Sequence, residues 1–150
     1  MIMKNYMGFK LIKAEPMTRG EYNKFRGWQI PADENPDDAG YKVVYPDAYV
    51  SWSPAKAFEE AYRKCDELPF GLAIEAAKKG KKIARKGWNG KNQYVELATN
   101  ISYKADGEIV NCEHDAIGNK ALAFVGTSGV QLGWLASQAD MLADDWRILD

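Results

Sequence analysis

The chain has 150 residues, 46% of them hydrophobic and 27% charged, and a formal net charge of −1. That length gives one good-sized domain, or a small domain with an extension, and enough apolar material for a real core. So balanced a charge excludes the strongly basic domain of a general nucleic-acid binder.

The opening run Met1-Ile2-Met3-Lys4-Asn5-Tyr6 lacks a long apolar core and a small-residue cleavage site. No signal peptide is read, and the cytoplasm is the expected location. Residues 9–14 alternate in part and read as a strand that Pro16 ends. Thr18 and Glu21 stand at capping-box spacing and open a short helix through Tyr22 and Phe25, closed by Gly27. Residues 31–40 are acidic and lack large apolar groups, which predicts a mobile surface loop. Residues 41–45 and 49–52 are β-rich, and Pro46-Asp47-Ala48 joins them as a tight hairpin. Glycine would sit more easily at position 48, because such loops often need a positive φ. Ser53 followed by Pro54 predicts an N-cap and a proline at the first helical position. Ala57, Phe58, Ala61, Tyr62 and Cys65 then form one apolar helical face.

Residues 66–69 break the pattern and mark the expected boundary between a module at 1–68 and a domain at 69–150. Phe70, Ala73, Ile74 and Ala77 form the buried stripe of the next helix, which Lys78 and Lys79 finish and Gly80 closes. Strands at 82–85 and 94–98 follow, joined by Gly87-Trp88-Asn89-Gly90. Residues 101–119 are polar, without a strong period, and read as a variable loop or a weak hairpin. Strands at 121–125 and 130–135 flank a turn at 126–129. Ser137 caps a last helix with Asp140 at its third position, and residues 145–149 end the chain as a strand. The fold class is α+β: a small antiparallel sheet with short helices, extended at the N-terminal side by a strand, a helix, a hairpin and a helix. No apolar run approaches the ~20 residues that span a bilayer, so no membrane association is expected.

From Lys78 to Val95 there are six lysines and one arginine, with no Asp or Glu. Arg85, Trp88 and Asn89 beside a glycine turn suit a flat anionic ligand such as a nucleotide; a hairpin with a solvated basic face is the plainer alternative. Arg85 offers bidentate contacts to phosphate. Trp88 and Trp134 offer stacking faces. Asn89, Ser137 and Gln138 offer groups for ribose hydroxyls or base edges. The run from Ser137 to Asp140 also opens a helix whose free N–H groups favour an anion. Ser137 is equally explained as a cap alone, Trp134 as core, and Trp146 is read as core. Catalytic chemistry is poorly supplied. His114 is the one histidine, no GxSxG elbow is present, and Gly126-x-x-Gly129 lacks the lysine of a phosphate loop. Asp140, Asp144 and Asp145 read as cap and surface rather than as a metal site. Cys65 and Cys112 form no CxxC pair and are expected to be reduced thiols. No cofactor and no metal is expected.

Two blocks of residues resemble a known family. Phe70-x-x-Ala73, Gly80, Arg85-x-Gly87-Trp88-Asn89-Gly90 and Tyr94-Val95 form the first. Trp134-x-x-Ser137-Gln138-x-Asp140-x-Leu142-Ala143-x-Asp145-Trp146 forms the second. Together they resemble the Thoeris anti-defence two family of phage proteins. Residues 40–62, with Tyr45-Pro46-Asp47 and Tyr49-Val50-Ser51-Trp52-Ser53-Pro54, are similar to a small-protein family of unknown role described from phages N4 and Sf6. The first resemblance implies a homotetrameric binding protein and not an enzyme. Such a protein sequesters the cyclic ADP-ribose-type signal of TIR-domain defence, and in some members cyclic dinucleotides of CBASS defence, without cleaving them. It makes Trp88, Asn89, Trp134, Ser137, Gln138 and Asp140 pocket candidates, with Arg85 beside them. Ala136 stands where the family commonly has proline, Leu135 is also atypical, and Ala48 stands where the second family has glycine. A nucleotide-cleaving enzyme using Asp140, Asp145 or His114 is one competing reading. A phage structural or host-takeover adaptor that binds proteins is another.

Overall fold

The computed structural model describes residues 1–88, 92–99, 101–111 and 120–149. The chain divides into two compact units, Met1–Arg63 and Lys64–Asp150. Both are α+β, built of antiparallel sheets and short helices.

In the first unit β1 (Lys13–Pro16), β2 (Gly40–Val44) and β3 (Val50–Pro54) form one sheet in that order. The first strand begins at Lys13, not at residue 9. Lys13 pairs with Val44, the last residue of β2, so the ladder does not extend to residues 9–12. Pro16 sits inside this edge strand, where its missing N–H is tolerated.

Helix α1 (Arg19–Arg26) follows with its capping box complete. Glu21 N–H donates to Thr18 Oγ1 at 3.2 Å, and Thr18 N–H donates to the Glu21 carboxylate at 2.8 Å. Gly27 closes it at φ 73°, with Trp28 N–H reaching back to the Asn23 carbonyl at 2.8 Å. That left-handed cap is the glycine role the sequence announces. Its first-turn N–H groups are satisfied by the acidic segment: Arg19 and Gly20 donate to the carbonyls of Asp38 and Pro36. Glu34 pairs with Arg19 and accepts from Asn23. The segment read as a mobile loop is therefore tied along α1, because a helix start leaves donors that something must take.

β2 and β3 join through residues 45–49, with Ala48 at φ 67°. Asp47 accepts from Tyr49 N–H at 3.1 Å and stiffens the tip. Trp52 lies directly against Gly40, where an added Cβ would meet the indole at 2.3 Å. The indole N–H donates to the Met17 carbonyl at 2.8 Å. Helix α2 (Ala55–Ala61) starts one residue later than expected. Pro54, not Ser53, is its N-cap, because Pro54 is still paired with Gly40 in the sheet. It stops at Tyr62, which is extended, so Cys65 is not on its face. Phe58 stacks between Tyr41 and Tyr62 at 4.1 and 5.0 Å.

The second unit opens with Cys65 and Leu68 bonded to the last strand, ahead of α3 (Phe70–Lys78). The units thus divide at 63/64, upstream of the break read at 66–69. Gly80 (φ 85°) ends α3 through bonds from Gly80 and Lys81 N–H to the Ala77 and Ala76 carbonyls. Then come β4 (Lys82–Arg85), β5 (Tyr94–Ala98), β6 (Ser102–Ala105), β7 (Glu108–Asn111), β8 (Ala121–Gly126), β9 (Gly129–Leu132), α4 (Gln138–Met141) and β10 (Trp146–Leu149). One antiparallel sheet runs β10-β4-β5-β8-β9, and β6-β7 stands apart as a hairpin. Of the two readings of 101–119, the hairpin holds for residues 102–111. Asp106 and Gly107 both have positive φ, the signature of a two-residue hairpin turn. The return strand is shorter than residues 130–135, since Gly133 turns away at φ 78°.

The core of this unit is Leu68, Ala73, Ala76, Ala77, Ile83, Val95 and Trp146. Three alanines let α3 lie close on the sheet, while Phe70 and Ile74 of the expected stripe are only partly buried. Cys65 is an exposed free thiol, and Cys112 and His114 lie outside the described residues.

Ala48 carries a left-handed strain of roughly 1–2 kcal/mol. Gly spends part of that gain on a freer unfolded chain. Ala48→Gly is therefore expected to stabilise the protein by about 0.5–1 kcal/mol, read as a higher denaturant midpoint at unchanged slope.

Candidate functional site

Three indoles meet at one end of the second unit. Trp88 follows β4, Trp134 follows β9, and Trp146 opens β10. Trp146 is fully buried, while Trp88 and Trp134 are half-buried. Trp88 stands edge-on to Trp146 at 5.3 Å and to Trp134 at 6.1 Å. Trp134 is edge-on to Trp146 at 6.1 Å. Phe70 packs against Trp134 and Trp146, and Phe124 against Trp88. T-shaped pairs set the positive edge of one ring on the negative face of the next, worth about 0.5–1.5 kcal/mol each beyond the buried area. Trp146 is thus the floor, as the sequence reading had it for core, and Trp88 and Trp134 are the rim.

Each rim residue is placed by the chain around it. The N–H groups of Gly133 and Trp134 both donate to the Leu122 carbonyl of β8, at 3.0 and 2.9 Å. Trp88 N–H donates to the Arg85 carbonyl at 3.4 Å, closing the turn after β4.

Charge is arranged beneath the rim. Arg85 Nε donates to Asp145 at 2.9 Å, and its Nη1 donates to Asp140 at 3.0 Å. Hydrogen bonding to Asp145, then to Asp140, pushes the guanidinium pKa further above its usual value. Arg85 holds the Asp145 carboxyl below the usual carboxylate range. Burial pushes the Asp140 carboxyl up, but bonds from Arg85 and Ser137 outweigh it and leave it lowered as well. One cation facing two carboxylates leaves the trio at −1. The phosphate role read for Arg85 would require these bonds to open.

Ser137 and Asp140 form the capping box the sequence suggests, at 3.1 and 3.2 Å. The helix it opens has only four residues, and the Asp140 carboxylate already occupies its start. The anion-binding reading of that N-terminus is accordingly weakened, since the protein supplies the anion itself. Ser137 and Gln138 are both exposed at this helix start. Asn89 lies outside the described residues. The basic excess of 78–95 is partly paired: Lys78 with Glu75 at 3.4 Å, Lys86 with Asp66 at 3.9 Å.

Sequence reasoning missed the part that Asp145 and Phe124 play at the site, and gave Phe70 only as part of the buried stripe of α3. Asp145 was findable, because β10 pairs with β4 so that Trp146 lies opposite Arg85. Asp145 then falls beside the Arg85 head, a relation that only strand pairing discloses across sixty positions.

Residues 68–149 match the Tad2-like family, described as the Thoeris anti-defense 2-like domain. A protein of Bacillus phage SP01, named Thoeris anti-defense 2, is 35% identical over 89 residues. That alignment covers 55% of this chain and 96% of the phage protein.

Arg85→Met strands two partly buried carboxylates. It is expected to cost about 2 kcal/mol, less than the ~3–5 of a fully buried pair because solvent reaches the site. Both carboxyls have lowered pKa values in the folded state. Their stabilisation is therefore present above the unfolded value of about 4 and is lost as pH falls through the lower folded values. Denaturant midpoints taken across acidic pH are expected to fall steeply for the native sequence, and less steeply for Asp145→Asn.

Proposed function

Because the chain belongs to the Thoeris anti-defense 2-like family, a family of phage anti-defence proteins, we propose that it binds cyclic nucleotide immune signals and holds them without cleaving them. The ligands are of the glycocyclic ADP-ribose type, with cyclic dinucleotides as a second class. The observation that carries this reading is the indole rim: Trp88 and Trp134 half-buried and braced on a buried Trp146. Each rim indole is braced edge-on by its neighbours and keeps an exposed part on which a base could stack. Ser137 and Gln138 supply neighbouring hydrogen-bond groups, and Asn89 follows Trp88 in the sequence. Asp140 acts on this reading through its bonds to Arg85 and Ser137.

Storage without cleavage is supported by the state of the acids. A general base works best with a pKa near the operating pH. Asp140 and Asp145 are displaced the other way, by the same arginine. Slow release then follows from burial of the ligand between aromatic surfaces and a hydrogen-bonded edge.

We assign the protein a homotetrameric state with sites completed between subunits. Leu135 and Leu142 flank the rim and are exposed, and β9 is an edge strand with Val130 and Leu132 exposed. Apolar groups so placed favour association of copies around the site. Among the described residues no helix is long and apolar enough to cross a membrane. The host cytoplasm is the location this function needs.

Calorimetric titration with glycocyclic ADP-ribose and with a cyclic dinucleotide tests the reading, followed by heat release and mass analysis of the ligand. Binding with the ligand recovered intact is expected. Loss of one stacking face costs roughly 1–3 kcal/mol, so Trp88→Ala and Trp134→Ala are each expected to weaken binding by about 5- to 150-fold. A changed ligand mass would make the protein an enzyme. No binding of either compound would sink the proposal.

A further inference from the structure

The first unit lies outside the residues shared with the anti-defence family, and its exposed apolar groups fall in two places. One is the leading segment, residues 1–12, where Ile2, Met3, Tyr6 and Met7 are each about nine-tenths or more exposed. The other is the end of α1 and the chain just after it, where Phe25, Trp28 and Ile30 are about half exposed. Of the other large apolar side chains of this unit, Tyr49 is the one exposed elsewhere among the described residues. Neither place covers the other within the chain, since both remain exposed.

The two places differ in charge. Lys4, Lys10 and Lys13 are the charged side chains of residues 1–14, with no Asp or Glu among them. Residues 27–41 hold Asp33, Glu34, Asp37 and Asp38 and no Lys or Arg. Glu34 is taken by Arg19, but Asp33, Asp37 and Asp38 are exposed. Three cations stand near the patch: Lys24 is exposed, Arg26 lies over the Trp28 ring and donates to the Val50 carbonyl at 2.7 Å, and Lys42 lies over the Phe25 ring and pairs with Glu15 at 2.8 Å. The acidic backbone is also held in a fixed shape by its bonds to α1. A preformed receptor loses little entropy when a segment docks on it.

We propose that residues 1–12 of one copy dock on the surface formed by residues 25–38 of a second copy. Apolar side chains of the segment cover Phe25, Trp28 and Ile30, and its lysines face Asp33, Asp37 and Asp38. A segment exchanged between two copies makes the same contact twice, which is how a two-fold pair is closed. The contact uses no residue of the indole rim, so it stands or falls separately from nucleotide binding.

The test places the photoreactive residue p-benzoylphenylalanine at Tyr6 of the full chain. Protein of ordinary isotope content is mixed with fully 15N-labelled protein, irradiated, digested and mapped by mass. Cross-links from position 6 to residues 25–38 carrying one light and one heavy peptide are the expected result. Lys4→Glu with Lys10→Glu is expected to abolish them, and adding Asp37→Lys with Asp38→Lys to restore them. These positions are exposed, so the fold should persist in every variant. Only light–light and heavy–heavy pairs would show the segment folding onto its own chain and overturn the proposal. Cross-links to other residues, to another protein, or none at all would overturn it too.

Discussion

The second unit depends on the burial of one side chain, Trp146. Its backbone closes the bridge to Leu68, with bonds of 2.8 and 3.1 Å. Its indole N–H donates to the Asp140 carbonyl at 2.8 Å, which fixes the short helix α4 against the last strand. Its ring is the surface on which Phe70, Trp88 and Trp134 pack. A buried indole must satisfy its N–H and fill its volume, and here both demands are met by groups that also shape the candidate site. Core and site are therefore one packing arrangement seen from two sides.

The local elements were legible in the sequence where chain chemistry alone decides them. Capping boxes at Thr18–Glu21 and Ser137–Asp140, glycine stops at Gly27 and Gly80, and the strands at 82–85 and 94–98 all rest on neighbours within a few positions. The misreadings share a cause. Residues 9–12 alternate as a strand does but the pairing of β1 with β2 begins only at Lys13, and Cys65 keeps helical spacing while its carbonyl is claimed by Ile148. The acidic loop looked free because its partners, the first N–H groups of α1, belong to another element. At the site the same division holds. Trp88 and Trp134 were identifiable as residue types, whereas the arrest of Arg85 by two aspartates required the pairing of β4 with β10.

That arrest changes the character of the site. A basic stretch in sequence suggested an attractive field for an anion. In the fold, its best-placed cation is neutralised, and two lysines are paired with Glu75 and Asp66. What stands at the rim itself is shape: rigid aromatic edges with a few hydrogen-bond groups, while Lys81 and Lys82 stay exposed elsewhere on the stretch. Recognition by shape and stacking depends less on ionic strength than recognition by unpaired charge.

The antiparallel bonds that join Cys65 and Leu68 to the 146–148 stretch bring the two ends of the second unit side by side. The first segment of the unit thus lies along its last strand. Among the described residues, every strand pairing of this unit is made within residues 64–150. A circular order is open as well: a short linker could join the adjacent ends, and the chain could begin anew at the Asp106-Gly107 turn, where no strand is cut.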